Sequence, residues 1–240
     1  MKKNPHLLTR KIHRYLGVII GIQFLFWTIG GLYFSWTNID EIHGDQYIGH
    51  NMDHALSSLV LGDSLNSDPE IKQMSLMFVG HKPYLWVNDS YLVDPQTWER
   101  KEQISEEEAL SVADMHMKPE YKIASAEYIE EVGDHHEYRG KPLPAYVITY
   151  EGDENLKAYV GARDGSFQRV RHDSWRVFDF LWMLHTMDYE GRDNFNNWLL
   201  RAFSIFGLVT IMSGFMLFYY SSPTIRKMRK GKKKKKKRKS

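Results

Sequence analysis

Two uncharged stretches constrain this chain more than any other feature. No Asp, Glu, Lys or Arg stands between Tyr15 and Ile39, nor between Ala202 and Thr224. Their centres, "YLGVIIGIQFLFWTIGGLYFSW" and "AFSIFGLVTIMSGFMLFYY", match the ~20 apolar residues needed to cross a hydrocarbon core. Trp36, Trp198, Tyr219 and Tyr220 mark the ends, where amphipathic rings favour the headgroup layer. The pattern predicts transmembrane helices over 15–37 and 199–221. The first reads as an uncleaved anchor. Its apolar run exceeds the ~7–15 residues of a signal-peptide core, and "YFSWTNIDE" is bulky where a peptidase needs small side chains.

Charge orients the pair. Residues 1–14 carry Lys2, Lys3, Arg10, Lys11 and Arg14 and no acid, and the tail from Arg226 to Lys239 carries twelve Lys or Arg and no acid. All 30 acidic residues fall between the spans, against the fifteen remaining of 32 basic ones, so that segment is −15 and the flanks +17. Short basic flanks stay on the cytoplasmic side. The expected topology has residues 1–14 and 222–240 in the cytoplasm of a bacterium and residues 38–171 in the periplasm, held by the inner membrane. The lysine-rich tail is expected to meet anionic lipid headgroups, at ~1 kcal/mol per basic residue near the surface, rather than nucleic acid. The absence of cysteine excludes disulfides, thiolate metal sites, iron–sulfur clusters and thiol catalysis.

The central segment reads as α+β and as a repeat. "ISEEEALSVADMH" (Ile104 to His116) opens with a serine cap and acidic first turn, as helices do. "KIASAEYIEEV", "PAYVITYEG" and "LKAYVGARDGSFQRV" then read as strands, with a turn at Asp164-Gly165. Before them, "KQMSLMFVG", "KPYLWVND" and "SYLVDPQTWERK" echo the three strands, and "YLVDPQTWER" aligns with "AYVGARDGSFQR". "HALSSLVLG" (His54 to Gly62) is the expected helix of this earlier copy. Two helix-plus-three-strand units are expected, over about 50–101 and 102–171. An amphipathic helix at the membrane surface is expected over 172–190, since Trp175, Phe178, Leu181, Trp182 and His185 recur at helical spacing.

The "ISEEEAL" opening, the Tyr-Val strand and the closing Asp-Gly turn of the second unit resemble a PepSY domain. "KIHRYLGVIIGIQFLFWTIGGLYFSW" and "WMLHTMDYEGRDNFNNWLLRAFSIFGLVTIMSGFMLFY" resemble helices of the PepSY-associated transmembrane family, in a short two-helix form. That resemblance implies a non-enzymatic binding or accessory role toward a protein or peptide of the cell envelope. It also implies two alternatives: a haem-binding electron-transfer or iron-uptake component, as in reductase-like members with four or more helices, or a regulator of an envelope peptidase. A self-contained reductase does not suit two spans without a flavin or nicotinamide domain.

The candidate site residues are histidines. His13 and His185 are the candidate ligands of a haem b, against bland readings as interfacial residues. The ~35 Å rise from His13 to Trp36 separates them too far to share one iron within a chain. His43, His50 and His54, with Asp45 and Asp53 nearby, form a weak divalent-metal candidate that lacks the H-E-x-x-H pattern. His135-His136 are expected at a hairpin tip. The Gly17/Gly21 spacing allows close helix approach. It is expected to serve either the second span, at Gly207 and Gly214, or a homodimer or protein partner. No nucleophile–base pair, phosphate loop or dinucleotide fingerprint occurs in the sequence.

Overall fold

The first uncharged run folds as one long helix, α1 (Pro5–Trp36), and the second as α5 (Trp198–Ser221). In this computed structural model the described residues are 5–49, 71–152, 154–192 and 194–224. The chain divides into a helical unit, Met1–Trp36 with Leu181–Ser240, and a sheet unit, Thr37–Phe180.

In the helical unit α1 and α5 run antiparallel, because His13 meets Ser213 while Trp27 meets Phe203. At ~1.5 Å per residue, the 24 residues of α5 cover ~36 Å, enough for the ~30 Å hydrocarbon core. Apolar side chains point outward all round: Ile19 is 67% exposed, Phe215 66% and Phe218 67%. A helix apolar on every face, with backbone hydrogen bonds satisfied internally, is matched to lipid rather than water. The turn before α5 is ordered by two side chains. Asp188 Oδ2 accepts from Asn194 N at 2.8 Å. Asn197 caps α5 by accepting from Leu200 N at 2.8 Å and donates to the Thr186 carbonyl at 3.0 Å.

The sheet unit opens with α2 (Ile39–His43), capped by Asn38 and ended at Gly44, where φ is +93°. A Cβ on Gly44 would stand 2.9 Å from that of Val170, so this turn needs glycine for both conformation and space. The strands β1 (Met74–Val79), β2 (Lys82–Val87), β3 (Tyr91–Val93) and β4 (Arg100–Lys101) form one antiparallel sheet in chain order. Helix α3 (Glu106–His116) follows. Then β5 (Ile123–Ile129), β6 (Ala145–Tyr150), β7 (Lys157–Gly161) and β8 (Phe167–Arg171) form a second sheet, also in chain order. Helix α4 (Asp173–Thr186) comes next, and the boundary between the two units falls inside it, after Phe180.

The α+β class and the two sheet-bearing units between two apolar helices are as the sequence leads one to expect. Each sheet has a fourth strand, because the basic segment after each Asp-containing turn also pairs: Arg100 with Val93, and Val170 with Ala158. The aligned "YLVDPQTWER" and "AYVGARDGSFQR" are thus the third and fourth strands of each sheet. The expected helix over 54–62 lies outside the described residues.

Helix α3 joins the two sheets. Its capping box is complete: Glu108 N donates to Ser105 Oγ at 3.3 Å, and Ser105 N donates to Glu108 Oε2 at 2.7 Å. The same carboxylate receives Lys101 at 2.5 Å from β4 and the Tyr84 hydroxyl at 3.2 Å from β2. Ala109, Val112 and Ala113 bury the opposite stripe against Ile148, Ala158 and Val160 of the second sheet and Val79 and Leu92 of the first. Burying each large aliphatic chain here stabilises the unit by about 1.5–3 kcal/mol.

Candidate functional site

Each candidate ligand of the helical unit is held by a different device. His13 Nδ1 lies 2.8 Å from Ser213 Oγ on α5. Ser213 Oγ itself donates to the Thr210 carbonyl at 2.7 Å, so it serves His13 as an acceptor. That places the proton on Nδ1 and leaves Nε2 as the lone-pair nitrogen, the arrangement by which a neighbouring group sets the tautomer of a ligating histidine. A Cβ on Gly214 would come within 3.3 Å of His13 Cε1, so this glycine is what lets the imidazole lie against α5.

His185 sits in an aromatic nest. Its ring stacks on Trp27 with centroids 5.3 Å apart and meets the edge of Phe34 at 5.7 Å, while Trp182 lies 6.4 Å away on its own helix. Nδ1 is buried without a hydrogen-bond partner among the described residues, 3.9 Å from where a Cβ on Gly30 would be. One residue earlier, the Leu184 carbonyl accepts from Gln23 Nε2 at 2.9 Å. The end of α4 therefore packs on α1, which no periodicity in the sequence indicates. An unpartnered buried nitrogen is uncommon and calls for an explanation.

The glycines divide into two groups. Gly30 and Gly214 are the close-approach positions, against His185 and His13. A Cβ on Gly17, Gly21 or Gly207 would meet nothing within 4 Å. Those three instead line an apolar groove of about 550 Å³ with Phe24, Trp27 and Phe203. The intramolecular seam expected of Gly17, Gly21 and Gly207 is open, and among the seam glycines only Gly214 touches the opposite helix.

In the sheet unit a charged cluster covers the face of the second sheet turned away from α3. Glu137 comes from the β5–β6 loop. Its carboxylate accepts from Tyr159 Oη at 2.6 Å and from Arg176 Nε at 2.7 Å and Nη2 at 3.1 Å. Although burial opposes ionisation, the hydrogen bonds from Arg176 and Tyr159 hold its carboxyl below the usual range. Asp179 pairs with Arg139 at 2.6 Å, and both side chains are nearly buried. Arg171, 6% exposed, lies over the Trp175 ring at 4.0 Å. The loop's Tyr138 stacks on Tyr159 at 4.7 Å. Sequence reasoning singled out none of these charged residues. It looked instead at His135-His136, which lie in the same loop; His136 Nδ1 accepts from Tyr138 N at 3.1 Å.

His43 is exposed at the end of α2, and no group of three His, Asp or Glu residues with metal-binding geometry occurs among the described residues. His50 and His54 lie outside them.

The family described as the PepSY-associated TM region matches residues 1–221. The chain belongs to this family. With two helices among the described residues long and apolar enough to cross a bilayer, Leu7–Trp36 and Trp198–Ser221, it is a membrane-associated PepSY protein. No curated protein and no solved structure matches the chain.

Proposed function

We propose that this PepSY protein is a membrane-anchored accessory module whose sheet unit binds a protein or peptide partner in the periplasm, with both termini in the cytoplasm. The observation that carries this reading is β5. It is the outermost strand of the second sheet and, over seven residues, pairs only with β6 among the described residues. An unpaired strand edge offers backbone donors and acceptors to an added extended segment. The acidic segment between basic flanks supports the orientation.

The cysteine-free chain allows a direct test. Ser125→Cys on β5, in intact cells, is expected to react with a membrane-impermeant maleimide. Carrying a photocrosslinker, it is expected to give one discrete adduct that Lys157→Cys on β7 does not give. Identical adducts from both positions, or no adduct from Ser125→Cys, would refute the reading.

A second reading rests on His185 Nδ1, a buried nitrogen without a hydrogen-bond partner among the described residues. It takes the chain as a haem-binding electron-transfer or iron-uptake component. His185 lies against Gly30, seventeen positions from His13, or ~25 Å along α1 at about 1.5 Å per residue. One iron cannot engage both within a chain, so His13 and His185 would each hold a separate haem b, with a second copy seated at the open Gly17/Gly21 face completing each site. Haem would supply one-electron chemistry there. His13 would contribute Nε2, with its tautomer fixed by Ser213. On this reading, detergent-purified protein from haem-replete cells shows a Soret band and reducible visible bands, and His185→Ala diminishes both. A spectrum without these bands would remove it.

A further inference from the structure

Helix α4 sets two of its faces against protein and leaves a third exposed. In its first half, Trp175 lies under the Arg171 guanidinium at 4.0 Å, Asp179 pairs with Arg139 at 2.6 Å, and Arg176 pairs with Glu137 at 2.7 Å. In its second half, Trp182 meets the edge of Phe34 at 5.9 Å and His185 stacks on Trp27 at 5.3 Å. Trp175, Trp182 and His185 belong to the stripe expected at the membrane surface, yet all three are turned to protein.

The remaining face carries Val177, Phe180, Leu181 and Leu184. Their i, i+3, i+4, i+7 spacing is that of one apolar side of a helix. Val177 is 50% exposed and Phe180 53%, while Leu181 and Leu184 are half-buried. No charge interrupts this stripe. Arg176 and Asp179 leave from other sides into the ion pairs above, and Asp173, one turn before Val177, pairs with Arg176 at 2.9 Å. Adjacent large apolar side chains left in water would forgo the transfer that drives burial, and a contiguous exposed patch of this kind marks a contact surface.

The course of the same helix says what covers that surface. Its last turn is fastened to α1 inside the uncharged run. Gln23 Nε2 donates to the Leu184 carbonyl at 2.9 Å, and the Leu181 carbonyl stands 4.0 Å from where a Cβ on Gly30 would be. Gln23 precedes Trp36 by thirteen positions, or ~20 Å along the helix at about 1.5 Å per residue. The end of α4 is therefore at hydrocarbon depth. Phe180 and Val177 follow ~6 and ~10 Å back along α4 from Leu184. Exposed Trp36 and Trp198 mark the headgroup layer, joined by exposed Tyr189 and Phe195 in the turn between α4 and α5. The stripe thus climbs from hydrocarbon toward the layer of these rings.

We propose that the Val177, Phe180, Leu181 and Leu184 face of α4 is immersed in lipid, in the leaflet next to Trp36 and Trp198. Its occupant is the bilayer itself, since helices of this kind sink an apolar face ~5–10 Å into the boundary between headgroups and acyl chains. One helix then joins lipid on this face to the Glu137 and Asp179 ion pairs on its others. The assignment rests on α1 and α5 spanning the membrane; it needs neither the β5 edge nor haem, and either can fail without affecting it.

The absence of cysteine permits a depth ladder on the full chain, in nanodiscs of phosphatidylcholine and phosphatidylglycerol. Ser174→Cys, Val177→Cys and Phe180→Cys each receive a nitroxide, and all three positions are exposed, so the label opens no core. Phe215→Cys on α5 is the lipid reference and Ser90→Cys in the β2–β3 turn the water reference, both at exposed positions. Power saturation compares collisions with oxygen, which concentrates in hydrocarbon, and with a nickel chelate, which stays in water. The oxygen-to-nickel ratio is expected to rise in the order Ser174, Val177, Phe180, toward the value at Phe215. Val177 and Phe180 are read separately, so if one labelled chain failed to fold the other would still decide. A ratio equal to that at Ser90 would place the face in water and overturn the proposal. Low access to both reagents, or dipolar broadening between the labels of two copies, would place protein there and overturn it equally.

Discussion

Glu137→Ala is expected to destabilise the sheet unit by about 3 kcal/mol. Amides of β6 and β7 in the full chain in detergent should then exchange with solvent about a hundredfold faster. Breaking a buried ion pair by removing one partner costs about 3–5 kcal/mol, because the remaining charge stays in the protein. The lower end applies, since Arg176 is 30% exposed and can recover some solvation, whereas the Glu137 side chain is 11% exposed. The same carboxylate also receives the Tyr159 hydroxyl, so its removal strands a phenol beneath Tyr138. The pH dependence follows from the sign of the shift. Glu137 titrates below its ordinary 4.5 in the folded protein. Its contribution is therefore complete above about pH 4.5 and is lost as pH falls through the folded value. In wild type the exchange protection of β6 and β7 should fall steeply in that acid window; in Glu137→Ala the fall should be shallower. Equal slopes would mean that Glu137 does not carry the charge coupling described.

The second large effect is expected at the β7–β8 turn. Gly165 has φ +69°, and a Cβ there would stand 2.8 Å from Val79 Cγ2 of β1. Gly165→Ala combines about 1–2 kcal/mol for a left-handed non-glycine residue with overpacking of about 1–3 kcal/mol. A loss of about 2–5 kcal/mol is expected. Val79 is 2% exposed, so the clash has no route to solvent. Val79→Ala in the Gly165→Ala background should recover the overpacking part while retaining the backbone part. Strict additivity of the two substitutions would contradict the contact between the sheets at this turn.

The parts of the fold that were legible in the sequence rest on local chemistry. The spans declare themselves through runs without charge, and α3 through Ser105 and its acidic first turn. The second sheet's last hairpin shows in Asp164-Gly165, where Asp164 Oδ1 accepts from Ser166 N at 3.0 Å. The fourth strand of the first sheet was not legible, because Arg100–Lys101 is two residues long and carries no alternating apolar pattern. The candidate sites divide in the same way. His13 and His185 stood out as histidines beside apolar runs. Their settings were hidden, since Ser213 lies 200 positions from His13 and the Gln23–Leu184 bond spans 161. Arg176 reaches Glu137 across 39 positions, and Arg171 reaches the same loop across 34. In sequence, "EYRG" and "FQRVR" look like an ordinary solvated loop and strand. Only the folded sheet brings them together and buries one arginine without a carboxylate.

The strand order of both sheets has a consequence for how such a chain can be made. Each strand pairs with the one just before it, so neither sheet needs a segment that has yet to be synthesised. A chain emerging at the ~5–20 residues per second of synthesis can close the first sheet once Lys101 has emerged and the second once Arg171 has. Pairings of such short sequence separation are also the quickest to form. The later apolar run is then made with both sheets already able to close ahead of it, and strand edges stay unpaired for the shortest time.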